Sequence, residues 1–116
     1  MNLDELKEKL LPFRGTTAYY QGMENILYTD GIRKLIYLVG CYWFIDDSSM
    51  VIGNKFRKYK FVAVTLIVNE DYTGMIKYED ENGRVLYSQK YEYIDFPKGK
   101  FEIFYEHGVL LLPGEH

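Results

Sequence analysis

The spacing of apolar positions changes near the middle of the chain, from threes and fours to twos. Leu3, Leu6 and Leu10 share one face of a segment that Asn2 can cap, with Glu5 three residues on and Pro12 to end it. That pattern predicts a short helix within residues 1–12. Residues 13–23, beginning "FRGTTAYYQG", hold two glycines and no period, so they read as a loop. A first strand fits residues 24–29, "ENILYT". Ile32, Leu35, Ile36, Val39, Tyr42 and Trp43 then form an apolar stripe, which predicts one central helix over residues 30–47 with Asp30 as its N-cap. Gly40 lies inside it at a cost of about 1 kcal/mol relative to Ala, and is expected either to allow close contact with a strand or to mark a local break.

The charges of this helix run against its dipole. Arg33 and Lys34 occupy the first turn and Asp46 and Asp47 the end, whereas helix ends favour the opposite signs. The expected resolution is structural: Arg33 and Lys34 pair with acidic groups from the hairpins, and Asp46 and Asp47 satisfy turn amides at or beyond the true helix end.

The second half alternates. "FVAVTLIV", Phe61 to Val68, is apolar on both faces and reads as a central strand. "GMIKYED" and "RVLYSQKYEYI" flank Glu81-Asn82-Gly83, a strong hairpin signal because both turn residues of an Asn-Gly turn need positive φ. "FEIFYE" and "VLLLP" flank a second tight turn at His107-Gly108. The predicted fold class is α+β: a single domain, 1–116, with one long central helix on a four- to five-stranded antiparallel meander (61–113) and a short N-terminal helix.

Composition narrows the function classes. Apolar residues at 47% and charged residues at 27% fit a globular chain rather than a disordered one. No apolar run approaches the roughly 20 residues that span a bilayer, and "MNLDELKEKLLPF" lacks the features of a secretory leader, so no membrane association and a cytoplasmic location are expected. Cys41 is the only cysteine and lies in an apolar stretch, which reads as a buried thiol. A net charge of −3 argues against general nucleic-acid affinity. "KFRKYK" departs from this, because Lys55, Arg57, Lys58 and Lys60 alternate with Phe56 and Tyr59 in the manner of a single-strand-binding surface. Twelve tyrosines among 116 residues suit either a binding surface or a sheet face.

Candidate chemistry is sparse. His107 and His116 have no second ligand at metal spacing, and no nucleophile elbow, phosphate loop or dinucleotide fingerprint occurs, so no metal, cofactor or catalytic group is expected. A hydrolase built on Asp30 or Asp46 would need a second carboxylate in the same concave pocket. The leading expectation is a non-catalytic protein-binding module using Tyr19, Tyr20, Asp46, Asp47, Glu79, Asp80 and Glu81. The alternative is nucleic-acid binding through residues 55–60. Self-association through an edge strand or a Tyr-rich face is compatible with both.

"LYTDG" at Leu27, "YWFID" at Tyr42, "EDENGRVLYSQKYEYIDFP" at Glu79 and "HGVLLLP" at His107 resemble the recurring blocks of a family of small uncharacterised bacterial and phage proteins, from Phe13 onward. The resemblance implies a single compact domain, often carried by mobile elements, a chain ending near Glu115, and no assigned activity. "SSMVIGNKFRKYK" departs from the blocks, so the basic segment inherits no role. Small size, acidity, abundant Tyr and the lack of a catalytic constellation point to a host protein as partner, including a defence or nuclease component whose nucleic-acid site an acidic face would occupy.

Overall fold

The computed structural model describes residues 1–116. Its helices are α1 (Leu3–Leu10), α2 (Asp30–Val39) and α3 (Tyr42–Val51). Its strands are β1 (Tyr19–Gln21), β2 (Leu27–Thr29), β3 (Phe61–Val68), β4 (Gly74–Glu79), β5 (Val85–Tyr91), β6 (Gly99–Glu106) and β7 (Val109–Leu111). They form one sheet in the order β1-β2-β7-β6-β3-β4-β5. Every neighbouring pair is antiparallel except β2 and β7, which run parallel.

The class is α+β as expected, but the expected layout is corrected in both layers. The sheet has seven strands and is mixed, rather than four or five in an antiparallel meander. Its order departs from a meander because β6 pairs with β3 instead of β5. Val62, Val64, Leu66 and Val68 of β3 are all buried, so the strand with the most apolar surface takes the centre and acquires a partner on each side. The strands β1 and β2 are too short to show a period, and β2 owes its place to β7, more than 80 residues away in sequence.

The long helix is likewise two helices. Gly40 takes a left-handed conformation at φ +66° and its N–H bonds Ile36 O at 2.7 Å, closing α2. The apolar stripe continues through the break because α2 and α3 both pack on the sheet, so periodicity alone does not reveal the corner. The expected resolution of the reversed charges is corrected: Asp46 and Asp47 do not sit at a helix end satisfying turn amides. Asp46 and Asp47 lie inside α3, Arg33 stacks 4.5 Å over the Tyr20 ring, and Lys34 lies 5.0 Å from the Tyr37 ring. Neither cation pairs with an acidic hairpin. After α3, Ile52–Phe56 winds into a π-helical turn before β3.

Leu6, Ile32, Leu35, Phe44, Ile45 and Ile52 bring the helices onto Val62, Val64, Leu66, Ile76, Tyr78 and Ile103 of the sheet in one core. Burial of each such side chain contributes roughly 1.5–3 kcal/mol. Cys41 is part of this core, and desolvation pushes its thiol up to about 12. The opposite sheet face, with Phe61, Ala63, Ile67 and Phe104, is only half-buried.

Both predicted hairpins form, with one turn of a different type. His107 (φ 49°) and Gly108 (φ 87°) make the two-residue turn. At Asp80–Arg84 only Gly83 is left-handed, Gly83 N–H bonds Asp80 O at 3.0 Å, and the β4–β5 register shifts at Tyr78/Glu79. An Asp80 side chain that accepts from the N–H groups of Asn82 and Arg84 stabilises this wider, bulged turn over the Asn-Gly form.

Candidate functional site

The connection between β3 and β4, "NEDYT", is a tight turn pinned from within. Asn69 N–H bonds Thr73 O at 2.8 Å and Tyr72 N–H bonds Asn69 O at 3.0 Å. The Asp71 carboxylate accepts from the Thr73 hydroxyl at 2.6 Å and the Thr73 N–H at 3.1 Å, which holds its pKa below the usual carboxylate range. The residue that closes the turn is Tyr72, at φ +66°. A side chain in that conformation costs about 1–2 kcal/mol, and such positions normally hold Gly or Asn.

The Tyr72 ring is 39% exposed and packs on the Tyr93 ring, which is 69% exposed, with centroids 6.2 Å apart. Lys98 brings its ammonium 4.9 Å from the centre of the Tyr72 ring and 3.4 Å from Glu70 Oε2. Ile94 N–H bonds Tyr72 O at 2.7 Å, so the turn and the β5–β6 connection form one unit. Beside it opens a cleft of about 240 Å³ lined by Met1, Val39, Tyr72, Asp95, Phe96 and Pro97. Tyr37 and Tyr42, 80% and 63% exposed, flank Val39 in sequence at the α2–α3 corner.

The residues singled out by sequence do not assemble into a surface of their own. Tyr19 is exposed on β1, at one edge of the sheet. Tyr20 beside it donates its hydroxyl to Asp30 Oδ1 at 2.8 Å. Asp47 accepts from the Tyr91 hydroxyl at 2.7 Å, and burial followed by this contact raises the tyrosine's pKa. Asp46 is half-buried on the same helix. Glu79 pairs with Lys77 at 3.4 Å, Asp80 holds its own turn, and Glu81 is exposed in that turn. The β1 and β5 edges are six strand steps apart, roughly 29 Å. Asp47 lies on the core side of the sheet, within electrostatic reach of Tyr78 as well as Tyr91, whereas Glu79, the next residue of β4, points to the other face.

The basic segment is also divided. Lys55 lies 4.8 Å from the Tyr87 ring, and Arg57 donates to the backbone carbonyl of Glu24 while its own carbonyl accepts from the Tyr105 hydroxyl. Only Lys58 and Lys60 are exposed without such a contact.

Asp30, expected as the N-cap of the helix, does something else. Thr29 is the N-cap, its hydroxyl accepting from Ile32 N–H, and Asp30 turns outward to accept from Thr17 N–H at 2.9 Å, Thr17 Oγ1 at 3.0 Å and Tyr20. The Thr17 amide first and the Tyr20 hydroxyl second lower its pKa to about 2. The depressed value stabilises the fold above about pH 4 and that contribution is lost as pH falls toward 2. Melting curves of the wild type and Asp30→Asn should accordingly differ at pH 6 and converge near pH 2.

Residues 4–116 match a family of unknown function, DUF6876. The chain belongs to that family. No curated protein and no solved structure matches it. The DUF6876 match takes in the Tyr72–Tyr93 surface and also residues 48–60, which the block resemblance left out. Sequence reasoning passed over Tyr72 and Tyr93 in this DUF6876 chain. The signal was a Tyr in "DYTG", at a turn position where Gly or Asn fits the backbone better. No helix is long and apolar enough to cross a membrane.

Proposed function

We propose that this DUF6876 protein is a non-catalytic protein-binding module whose partner surface is the Tyr72–Tyr93 end. The observation that carries the reading is Tyr72 itself: a large ring kept half in solvent at a backbone position that disfavours it. Local strain of this kind collects at binding sites, and tyrosines dominate protein interfaces because they add contact area at low entropic cost. Lys98, paired with Glu70 and set over the Tyr72 ring, and the small cleft beside it add polar contacts around the aromatic pair.

Two other readings rest on less. Nucleic-acid binding through residues 55–60 keeps four positive charges, but the Tyr87 ring and the Glu24 carbonyl already engage the Lys55 and Arg57 heads, leaving Lys58 and Lys60 as the uncommitted ones. An acidic mimic filling a nuclease site needs Asp46, Asp47 and Glu79–Glu81 side by side, whereas Asp47 is engaged with Tyr91 on the core side of the sheet and Glu79 points to the other face.

The test is Tyr72→Asn, since asparagine tolerates the left-handed turn. Relief of about 1–2 kcal/mol of backbone strain offsets the lost aromatic pair, about 0.5–1.5 kcal/mol. Stability should stay within about 1 kcal/mol of the wild type. Affinity for a protein partner recovered from nuclease-treated host lysate should fall about thirtyfold, the effect of one 2 kcal/mol hot spot. Unchanged affinity, or no partner for the wild type, would overturn the assignment.

A further inference from the structure

The second cleft of the molecule lies where β6 loses its outer neighbour. The mirror-image turn at His107-Gly108 makes Glu106 and Val109 a pair that exchanges both ladder hydrogen bonds. Alternation along β6 then points the peptide N–H and C=O of Phe104, Glu102 and Lys100 to that same side. Strand β7 takes those of Phe104, opposite Leu111, and the pairing stops there. Pro113 is the residue that would face Glu102, and it has no N–H to donate. The chain instead turns away through the 3-10 turn Pro113–Glu115. Glu102 and Lys100 have no backbone partner on this edge.

A cleft of about 470 Å³ runs along the open edge. Leu10, Phe101 and Leu112 give it an apolar lining, and Lys7, Arg14 and Lys100 surround it with three cations, none in an ion pair. Its one carboxylate is Glu102, 3.4 Å from the Thr65 hydroxyl. The volume lies within the range of about 300–1,000 Å³ typical of ligand sites.

We propose that this cleft binds an extended acidic peptide as an added strand on β6. The exposed edge offers donors and acceptors in alternation, which a peptide backbone satisfies and an alkyl carboxylate does not. Alternate side chains of such a strand point to opposite sides. Apolar ones settle toward Leu10, Phe101 and Leu112, and acidic ones on the other side meet Lys100, while Lys7 and Arg14 flank the cleft along α1 and the segment after it. The stretch Gly99–Ile103 accommodates about four residues of partner. This site is separate from the tyrosine surface: Met1, before α1, lines the cleft there, whereas Lys7 and Leu10 of α1 and Leu11, Phe13 and Arg14 beyond its other end line this one.

The experiment is selection of a display library of seven-residue segments against the intact protein and against Arg14→Glu/Lys100→Glu. Enriched peptides should alternate apolar and acidic residues, bind the wild type at least tenfold more tightly than the variant, and slow amide exchange at Glu102. Methylation of the peptide amides that face β6 should abolish binding, and Tyr72→Asn should leave it unchanged. Arg14 and Lys100 are exposed, and Lys7→Glu serves as a second variant should the pair fail to fold. No enrichment, enrichment indifferent to charge reversal, or binding of dodecanoate with Glu102 exchange unaltered would each overturn the proposal.

Discussion

Replacing Gly74 by alanine should destabilise the protein by about 3 kcal/mol or more, near the upper end for a single added methyl group. A Cβ at this position would stand 1.9 Å from the carbonyl oxygen of Ile67 and 2.7 Å from Cδ1 of Ile94. The first neighbour is backbone in the central strand and cannot swing aside. Gly74 faces Val68 at the end of the β3–β4 ladder, so relief requires opening that pairing. The same absence of a side chain lets Ile94 lie over the corner, fully buried, and bond Tyr72 O. The substitution should therefore lower the urea midpoint and disturb the tyrosine surface together. A midpoint equal to that of the wild type would show that the corner is not packed as described.

Glu115→Ala should cost about 2–4 kcal/mol, and Glu115→Gln less. The Glu115 carboxylate accepts from Thr29 Oγ1 at 2.6 Å, Gly31 N–H at 3.1 Å and Leu112 N–H at 3.0 Å. Truncation strands three donors, and each orphaned buried group costs about 1–3 kcal/mol, less where water can reach it. The carboxylate also sits at the amino end of α2, where a negative charge is favoured by a few tenths to 1 kcal/mol. Gly31 provides the space, since a Cβ there would come within the carboxylate, 2.4 Å from Oε1. Urea denaturation of the three proteins should rank them wild type, Gln, Ala. An Ala variant as stable as the wild type would contradict this account of how the last turn is held.

These two residues show where reading by pattern succeeds and where it stops. Asn2 as the cap of α1, the apolar strand at Phe61–Val68 and the turn at His107-Gly108 rest on neighbours within a few positions, and local spacing carries them. The "TDG" stretch looked like a helix start with Asp30 as cap. Its assignment depends on Glu115 and on Thr17 and Tyr20, contacts of long or intermediate range that no periodicity encodes. Gly40 in the sequence is compatible with either a break or a close contact, because the apolar stripe remains in phase across the corner. The parallel pairing of β2 with β7 and the crossing of the chain from β5 to β6 depend on competition for the central strand, which is settled only in three dimensions. Tyr19, Tyr20, Asp46, Asp47 and Glu79–Glu81 were grouped by residue type. The fold places them at separate edges and turns. Tyr72 and Tyr93 are 21 positions apart and meet only because Ile94 closes on the β3–β4 turn.

The most direct test of the tyrosine surface is site-specific photocrosslinking in cells that express the protein, with the reactive residue at position 93 and, separately, at position 19. The account predicts a discrete protein adduct from position 93 and none from position 19, which lies on the far β1 edge. An adduct from position 19 alone, or from neither position, would contradict it.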